Sequence, residues 1–385
     1  MSTLPQRATA YYPALTGLRA VAAALVYFYH FNPFKGHGQP VAPLTELFGA
    51  VLGTGIGLNI FFVMSGFVIT TRYVGQVELS LAWGRQYMLN RFARIYPLYF
   101  LLTALTFAAM AGHLLTWYTF GELFTVRDKV VAVVANLTLT RAFFQSFYFV
   151  GVPTAWSLTV EESFYASAPF MLLLLRRRAW LLPVLALGIV GVGGGLTLIA
   201  TRWQLYAGFM QPFSFVLQFT YFGRCVEFLA GIGLALWLRK RGHAPARRGT
   251  TLLGIGLIIW CATGHTFVHW PTLQLPDWAA ELSASLVFNC PLSASIVVLF
   301  HGLIHEDTWL RKLLSTKPLD LLGKSTYAFY LIHVGLFADL LQKAFGLHII
   351  AFFLFFYAVA VLLYKLVEQP AHTAILRRFR TAPAP

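Results

Sequence analysis

The run Leu15-Thr16-Gly17-Leu18-Arg19-Ala20-Val21-Ala22-Ala23-Ala24-Leu25-Val26-Tyr27-Phe28-Tyr29-His30-Phe31 decides the fold. It has the length and apolar content of a membrane-crossing helix, yet it carries an arginine near one end and a histidine near the other. At about 100° per residue, the eleven steps between them complete about three turns. The two side chains therefore share one face, about 16 Å apart along the axis. Ionisable groups within a span are costly and face a polar interior, which makes Arg19 and His30 candidates for a site. Taken alone, the pair reads equally well as an arginine snorkelling to headgroups and a histidine capped by a neighbour.

The rest of the chain supplies the context. Of its 385 residues 58% are hydrophobic and only 11% are charged, with a mean hydropathy of +0.67. Soluble domains carry roughly 25% charged residues, so this is an integral membrane protein. The formal net charge is +15, but the positives fall in short clusters between apolar runs. No long basic face exists to track a nucleic-acid backbone, so nucleic acid is not an expected partner. Cys225, Cys261 and Cys290 lie in or beside apolar runs without metal or redox spacing, and read as buried small hydrophobes; no metal is expected. The first apolar run is too long for a signal peptide and lacks a small-residue cleavage site. No soluble domain is expected before it or after residue 370. The chain reads as one integral membrane domain, 1–385, without an appended soluble domain.

Ten runs are long enough to span a bilayer: about 14–34, 47–72, 95–112, 153–175, 179–200, 213–238, 250–269, 284–304, 323–344 and 348–368. The expected fold is all-α and polytopic, with both termini on one side. Placing the N-terminus in the cytoplasm gives the cytoplasmic loops Arg85, Arg91 and Arg94, then Arg176-Arg177-Arg178, then Arg239-Lys240-Arg241 with Arg247-Arg248. They also receive Arg311-Lys312, Lys317 and the tail Arg377-Arg378-Phe379-Arg380, while an opposite loop carries Asp277 and Glu281. Every cluster agrees with the positive-inside rule. The segment 113–152, with Glu122, Arg127, Asp128 and Lys129 and a short apolar stretch from Val130 to Ala135, is too short to span and is expected on the outer surface or partly re-entrant. Gly49, Gly53 and Gly57, and the glycines between 188 and 195, have the small-residue spacing of close helix packing.

Five sets of residues could carry chemistry. His30 is expected in the outer half of the membrane, where a neutral imidazole could take a proton from a hydroxyl. Glu161 and Glu162, in Trp156-Ser157-Leu158-Thr159-Val160-Glu161-Glu162-Ser163-Phe164-Tyr165, are counted at a depth comparable to His30. One of them could orient His30 as the third member of a catalytic set does, or the two could be structural carboxylates at a helix crossing. Arg91 and Arg94 share a helix face, and their planar forks suit phosphate oxygens or anionic lipid. Arg224 and Glu227 are spaced as a buried ion pair. His301 and His333 lie deep in spans, the latter after Ser325, Tyr327 and Tyr330 in a polar-aromatic stripe. Assembled, these groups describe a tunnel with arginines at the cytoplasmic mouth and a histidine and carboxylate towards the outer face. An acyl-CoA has the shape to fit it.

At this point the chain resembles the membrane acyltransferase-3 family. The residues that carry the likeness are Arg19 and His30 in the first span, then Phe61-Phe62-Val63-Met64-Ser65-Gly66-Phe67-Val68-Ile69, then Arg91 and Arg94 leading into Tyr96-Pro97. The block Trp156 to Glu161 with Phe164-Tyr165 follows, then Arg224, Glu227 and Gly231, then Ser325 to His333, and last Glu368 with Pro370. They fall in family order over nearly the whole chain. Two positions depart from the pattern: Thr16 and Asn59 stand where many members have acids.

The resemblance implies a bacterial inner-membrane enzyme that moves an acyl group, commonly acetyl, from cytoplasmic acyl-CoA to a hydroxyl of a carbohydrate or glycolipid. On that reading His30 is the general base with Glu161 or Glu162 in support, and Arg19, Arg91 and Arg94 hold the donor. Ser65, Trp156, Tyr165, Arg224, Glu227, Tyr330 and His333 complete the site, Ser65 being either a relay nucleophile or a packing residue. Membrane lipids are the other expected partners, and a homo-oligomer is left open. The competing reading is a proton-coupled transporter or flippase, because intramembrane His, Glu and Arg also serve proton relays. No inverted repeat is visible to support it.

Overall fold

A computed structural model describes residues 11–33, 43–114, 124–241, 247–267, 277–346 and 348–379. Glu122, residues 242–246 of the polar loop and the Pro-rich end from residue 380 lie outside them. The described chain is helical, its one extended contact being an isolated bridge between Phe144 and Phe209. By length and composition seven stretches among the described residues can cross a bilayer: Ile56–Tyr73, Leu81–Ala111, Pro153–Leu175, Ala179–Arg202, Phe213–Arg241, Ser285–His305 and Ile349–Phe379. An eighth is a helix pair bent by 67°, Thr326–Ile332 with Leu336–Phe345. Two more of the ten expected spans are helical but fall short of the same test. One is α1 (Pro13–His30), which carries Arg19 and His30. The other is α10 (Thr250–Phe267), whose apolar described part is Thr250–Gly264.

Helix α1 starts with Pro13 at its first turn, where the missing N–H costs nothing, and runs through the middle of the bundle. Apolar burial brings little advantage between helices in lipid, so close packing of small residues and polar contacts must hold them. Gly17 meets the backbone of Leu314, and Gly57 meets the backbone of Ala22, so a side chain at either position would push the helices apart. Tyrosine hydroxyls add cross-links to main-chain carbonyls: Tyr27 to Ile349 (2.7 Å), Tyr357 to Ala20 (2.7 Å) and Tyr327 to Ile95 (2.7 Å).

The elements around α1 depart from the expected spans in three instructive ways. The run 47–72 is two helices, α2 (Pro43–Leu52) and α3 (Ile56–Tyr73), because Gly55 adopts a left-handed conformation (φ +68°) between them. In the opposite sense, the basic amphipathic stretch and the third span are one 31-residue helix, α4 (Leu81–Ala111), capped by the Ser80 hydroxyl. Helix α5 (Val126–Leu137) is short, as expected of the segment before the next span. Helix α6 (Trp156–Leu175) leads to α7 (Leu182–Arg202), α8 (Phe213–Phe219) and α9 (Tyr221–Arg241). Then come α10, α11 (Asp277–His305), α12 (Trp309–Leu314) and α13 (Lys317–Lys324). The third departure is the bend between α14 (Thr326–Ile332) and α15 (Leu336–Phe345), which turns at Gly335 (φ +90°). The last span, α16 (Ile349–Leu363), passes through a π-helical turn at Tyr364–Glu368 into α17 (Gln369–Phe379).

Two smaller expectations are corrected. Of the glycines at 188–195, Gly193 packs on Phe222, whereas Gly188, Gly191 and Gly195 have no neighbour within 4 Å, because α7 presents most of its surface outward. Cys225 and Cys261 are buried, but Cys290 is exposed on the outward side of α11.

Candidate active site

Two cavities lie at the two ends of α1. The smaller, about 70 Å³, is lined by Arg19, Ser65, Arg91, Arg94, Glu161, Tyr165 and Tyr327 with apolar neighbours that include Phe61. The larger, about 600 Å³, has His30 and Phe31 at its edge with Gly335, Asp339, Gln342, Ile349, Phe352 and Phe356. They share no lining residue, so the tunnel expected from the sequence is here divided. The ring of Phe61, which lines the smaller cavity, lies 6.4 Å from that of Tyr330. Tyr330 is held there by its hydroxyl, 2.8 Å from the Ser157 hydroxyl and 3.0 Å from the carbonyl of Thr154.

Helix α6 supplies one wall of the smaller cavity. Ser157, Glu161 and Tyr165 recur every four residues and so share a face. Ser157 meets Tyr330, Glu161 accepts a 2.5 Å hydrogen bond from the Ser65 hydroxyl of α3, and the Tyr165 ring lies 5.6 Å from the Arg91 guanidinium. Arg91 is 4% exposed, donates to the Tyr73 hydroxyl (3.3 Å) and packs on that ring too, while its Nε has no partner. Arg19 senses the charges of Arg94, Glu161 and Glu368. Glu162 points to the other side, near Arg91, with Oε1 buried and unpartnered.

Glu161 and His30 therefore line different cavities. The depth count placed them level, but α6 begins well inside the protein, since Val152, Pro153, Thr154 and Ala155 are all buried. Arg141, fully buried, fastens this entry: it donates to the Asn136 side chain (2.8 Å) and to the carbonyls of Val150 (2.8 Å), Val152 and Pro153 (3.3 Å). Glu161 sits one turn beyond Ser157 on α6, in the cavity of Arg19, Arg91 and Arg94. The residue beside His30 is His333, with ring centres 5.3 Å apart.

Reading the sequence also left Glu368 outside the site. The π-turn carries its carboxylate inward, where it is 8% exposed and senses Arg94 and Arg19. Such turns gather at functional sites, and the signal available in sequence was an isolated acid two residues before Pro370. The remaining candidates lie elsewhere. Arg224 and Glu227 form the expected ion pair (2.9 Å), tied through Asn59 to Asn289, so a neutral amide serves where many family members have an acid. Thr16 packs its backbone against Gly323 and its hydroxyl reaches the carbonyl of Tyr12 (3.4 Å), a packing role. Trp156 packs edge-on against Phe219 (4.9 Å), and His301 sits beside Trp237 and His305; none of these lines either cavity.

The arrangement gathers positive charge. Among the described residues no ion pair within 4.0 Å involves Arg19, Arg91 or Arg94, because the three pairs present lie elsewhere. Three guanidinium groups line one cavity without a direct acidic partner, and such planar forks suit anionic oxygens. A cavity of 70 Å³ is far below the roughly 300–1,000 Å³ of ordinary ligand sites. Any ligand of ordinary size entering it would have to displace side chains. Among the described residues no three His, Cys, Asp or Glu side chains converge as metal ligands would.

An acyltransferase domain model matches residues 12–365, nearly the whole chain. This chain belongs to the acyltransferase-3 family. Among relatives of this acyltransferase-3 chain is the peptidoglycan O-acetyltransferase OatA of Listeria monocytogenes, 28% identical over 84% of this chain and 49% of that protein. YrhL of Bacillus subtilis is 26% identical over 96% of this chain and 56% of its own length. The acyltransferase MdmB of Streptomyces mycarofaciens is 26% identical over 83% and 78%. The chain thus spans about half the length of the first two relatives. No solved structure matches.

Proposed function

We propose that this chain is a membrane O-acyltransferase that moves an acyl group, acetyl in the first instance, from acyl-CoA to a hydroxyl of a carbohydrate or lipid-linked saccharide. The observation that carries this reading is the pair of cavities on α1, one ringed by arginines that lack direct acidic partners and one opening on His30. Arg91 and Arg94 hold the donor's phosphates at the cytoplasmic mouth and Arg19 the inner part of its arm. The acceptor occupies the larger cavity, where Phe31, Phe352 and Phe356 offer apolar faces and Gln342 offers hydrogen bonds. His30 takes the proton of the hydroxyl as its oxygen attacks the thioester carbonyl; the C–S bond breaks and the leaving thiolate receives that proton. Glu161, bonded to Ser65, balances the arginines and leaves the direct-transfer route without an acyl-serine.

Both termini then face the cytoplasm of a bacterial plasma membrane, as the arginine distribution requires. Support for transfer over the proton-coupled carrier reading comes from the family and from the names of its relatives, which are O-acetyltransferases and an acyltransferase. The test is label transfer by the purified protein in lipid discs, from radiolabelled acetyl-CoA to a saccharide extract of the cell envelope. Transfer is expected from the wild type and absent from His30→Ala, with CoA binding retained. Proton uptake without label transfer would reject the proposal.

A further inference from the structure

The sequence offered a carboxylate as the partner of His30, and Glu161 is engaged elsewhere. Among the described residues His30 makes no side-chain hydrogen bond, although its ring is exposed to the larger cavity. A general base on one ring nitrogen needs its other nitrogen held, so that the correct tautomer faces the substrate.

His333 has the features of that holder. It is completely buried at the end of α14, just before the bend at Gly335. Its ring is stacked on Phe329 at 5.6 Å and 7°, with Tyr330 at 5.8 Å and Tyr27 at 6.3 Å, so its plane is set by packing. Nδ1 lies 2.9 Å from the carbonyl of Tyr330 and 3.3 Å from that of Phe329. Carbonyl oxygens only accept, so Nδ1 carries the proton and Nε2 presents a lone pair. That Nε2 is buried with no hydrogen-bond partner. Orphaned buried polar atoms are rare and call for a reason. With ring centres 5.3 Å apart, a turn of the exposed His30 ring would bring two nitrogens to about 3 Å, hydrogen-bond distance.

We propose that His333 is the positioning residue for His30, accepting one of its ring N–H groups on Nε2. This rests on the reading of His30 as the base. The held N–H leaves the other His30 nitrogen bare towards the cavity. As the acceptor O–H bond breaks, its proton goes to that nitrogen, and the second N–H of the new imidazolium stays bonded to His333. Formation of the O–C bond and cleavage of the C–S bond follow, and the proton passes to the thiolate. A neutral imidazole orients the base without placing a second charge in the bilayer interior, where charge is costly.

A double-mutant cycle tests this, with CoA-thiol release from acetyl-CoA in the presence of the envelope saccharide extract as the readout. His333→Leu is expected to lower kcat about 100-fold with the KM for acetyl-CoA unchanged, within the range for loss of acid–base function. His333→Gln, whose amide oxygen can accept from His30, should recover about tenfold over His333→Asn, which is too short to reach. In a His30→Ala background His333→Leu should have no further effect, because the two act as a unit. CoA protection against thermal unfolding checks that each variant is folded. Should His333→Leu fail that check, the Gln and Asn variants carry the test, and equal activity in the two overturns the proposal. So does a His333→Leu loss that multiplies with that of His30→Ala, or a kcat within twofold of wild type. Full activity in His30→Ala overturns the base reading instead.

Discussion

The two ends of α1 solve opposite problems. Around Arg19 the protein concentrates charge in a cavity of about 70 Å³, with arginines from α1 and α4 and carboxylates from α6 and the π-turn held apart rather than paired. Around His30 it leaves about 600 Å³ with Asp339 as the one acid among the described residues that line it, and gives the imidazole an aromatic wall and a second imidazole as neighbour. On the proposed function, the first end takes the anionic donor and the second takes the acceptor's proton. The lesson is that one helix with two ionisable residues lines two cavities whose character comes from the helices packed on it.

The sharpest way to break this contrast is to fill one end. Ala338 also lines the His30 cavity; Ala338→Trp would project an indole into it, and is expected to raise the acceptor KM about 100-fold while leaving the donor KM unchanged, a site-filling effect seen in steady-state kinetics with each substrate varied in turn. An equal rise in both would show a single shared site. At the other end, Arg91→Gln is expected to raise the donor KM about 10- to 100-fold, matching a charged hydrogen bond of about 1.5–3 kcal/mol. Arg91→Lys should rescue little, because the planar stack between Tyr73 and Tyr165 is lost.

Arg141 sets the depth of α6 and thereby keeps Glu161 at the arginine end. Arg141→Met removes its bonds to the 150–153 carbonyls and should cost about 3 kcal/mol, read as a lower Tm in detergent. A Tm within a degree of wild type would show that the segment is held by other contacts. The smallest effect is expected far from both cavities. At α5 the Thr125 hydroxyl and then the Tyr206 hydroxyl hold the Asp128 carboxyl below the ordinary aspartate range. A depressed pKa stabilises the folded form above the unfolded value, near 4, and that contribution is lost as pH falls through the folded value. Protease resistance of the α5 segment should therefore drop between pH 5 and 3, and Asp128→Asn should flatten that drop.

Much of the site was legible in order of residues. Arg19, Arg91 and Arg94 were assigned to one end of a tunnel and His30 to the other, and in the structure they line two separate cavities. The break at Gly55 and the bend at Gly335 were not legible, because hydropathy does not register a change of backbone dihedral within an apolar run. Nor was the inward turn of Glu368, since a π-turn rotates the helix face away from the 3.6-residue period on which the reading depends.

Residue order alone established an all-helical membrane protein, its spacing of arginine and histidine, and its family. Hydrophobic length and helical period are local properties, written in consecutive residues. Only the tertiary structure decided that Glu161 belongs with the arginines and His333 with His30. That pairing depends on where each helix enters the bundle and how it is rotated against its neighbours, which here is set by a buried arginine, a bend and close-packed glycines distant in the chain.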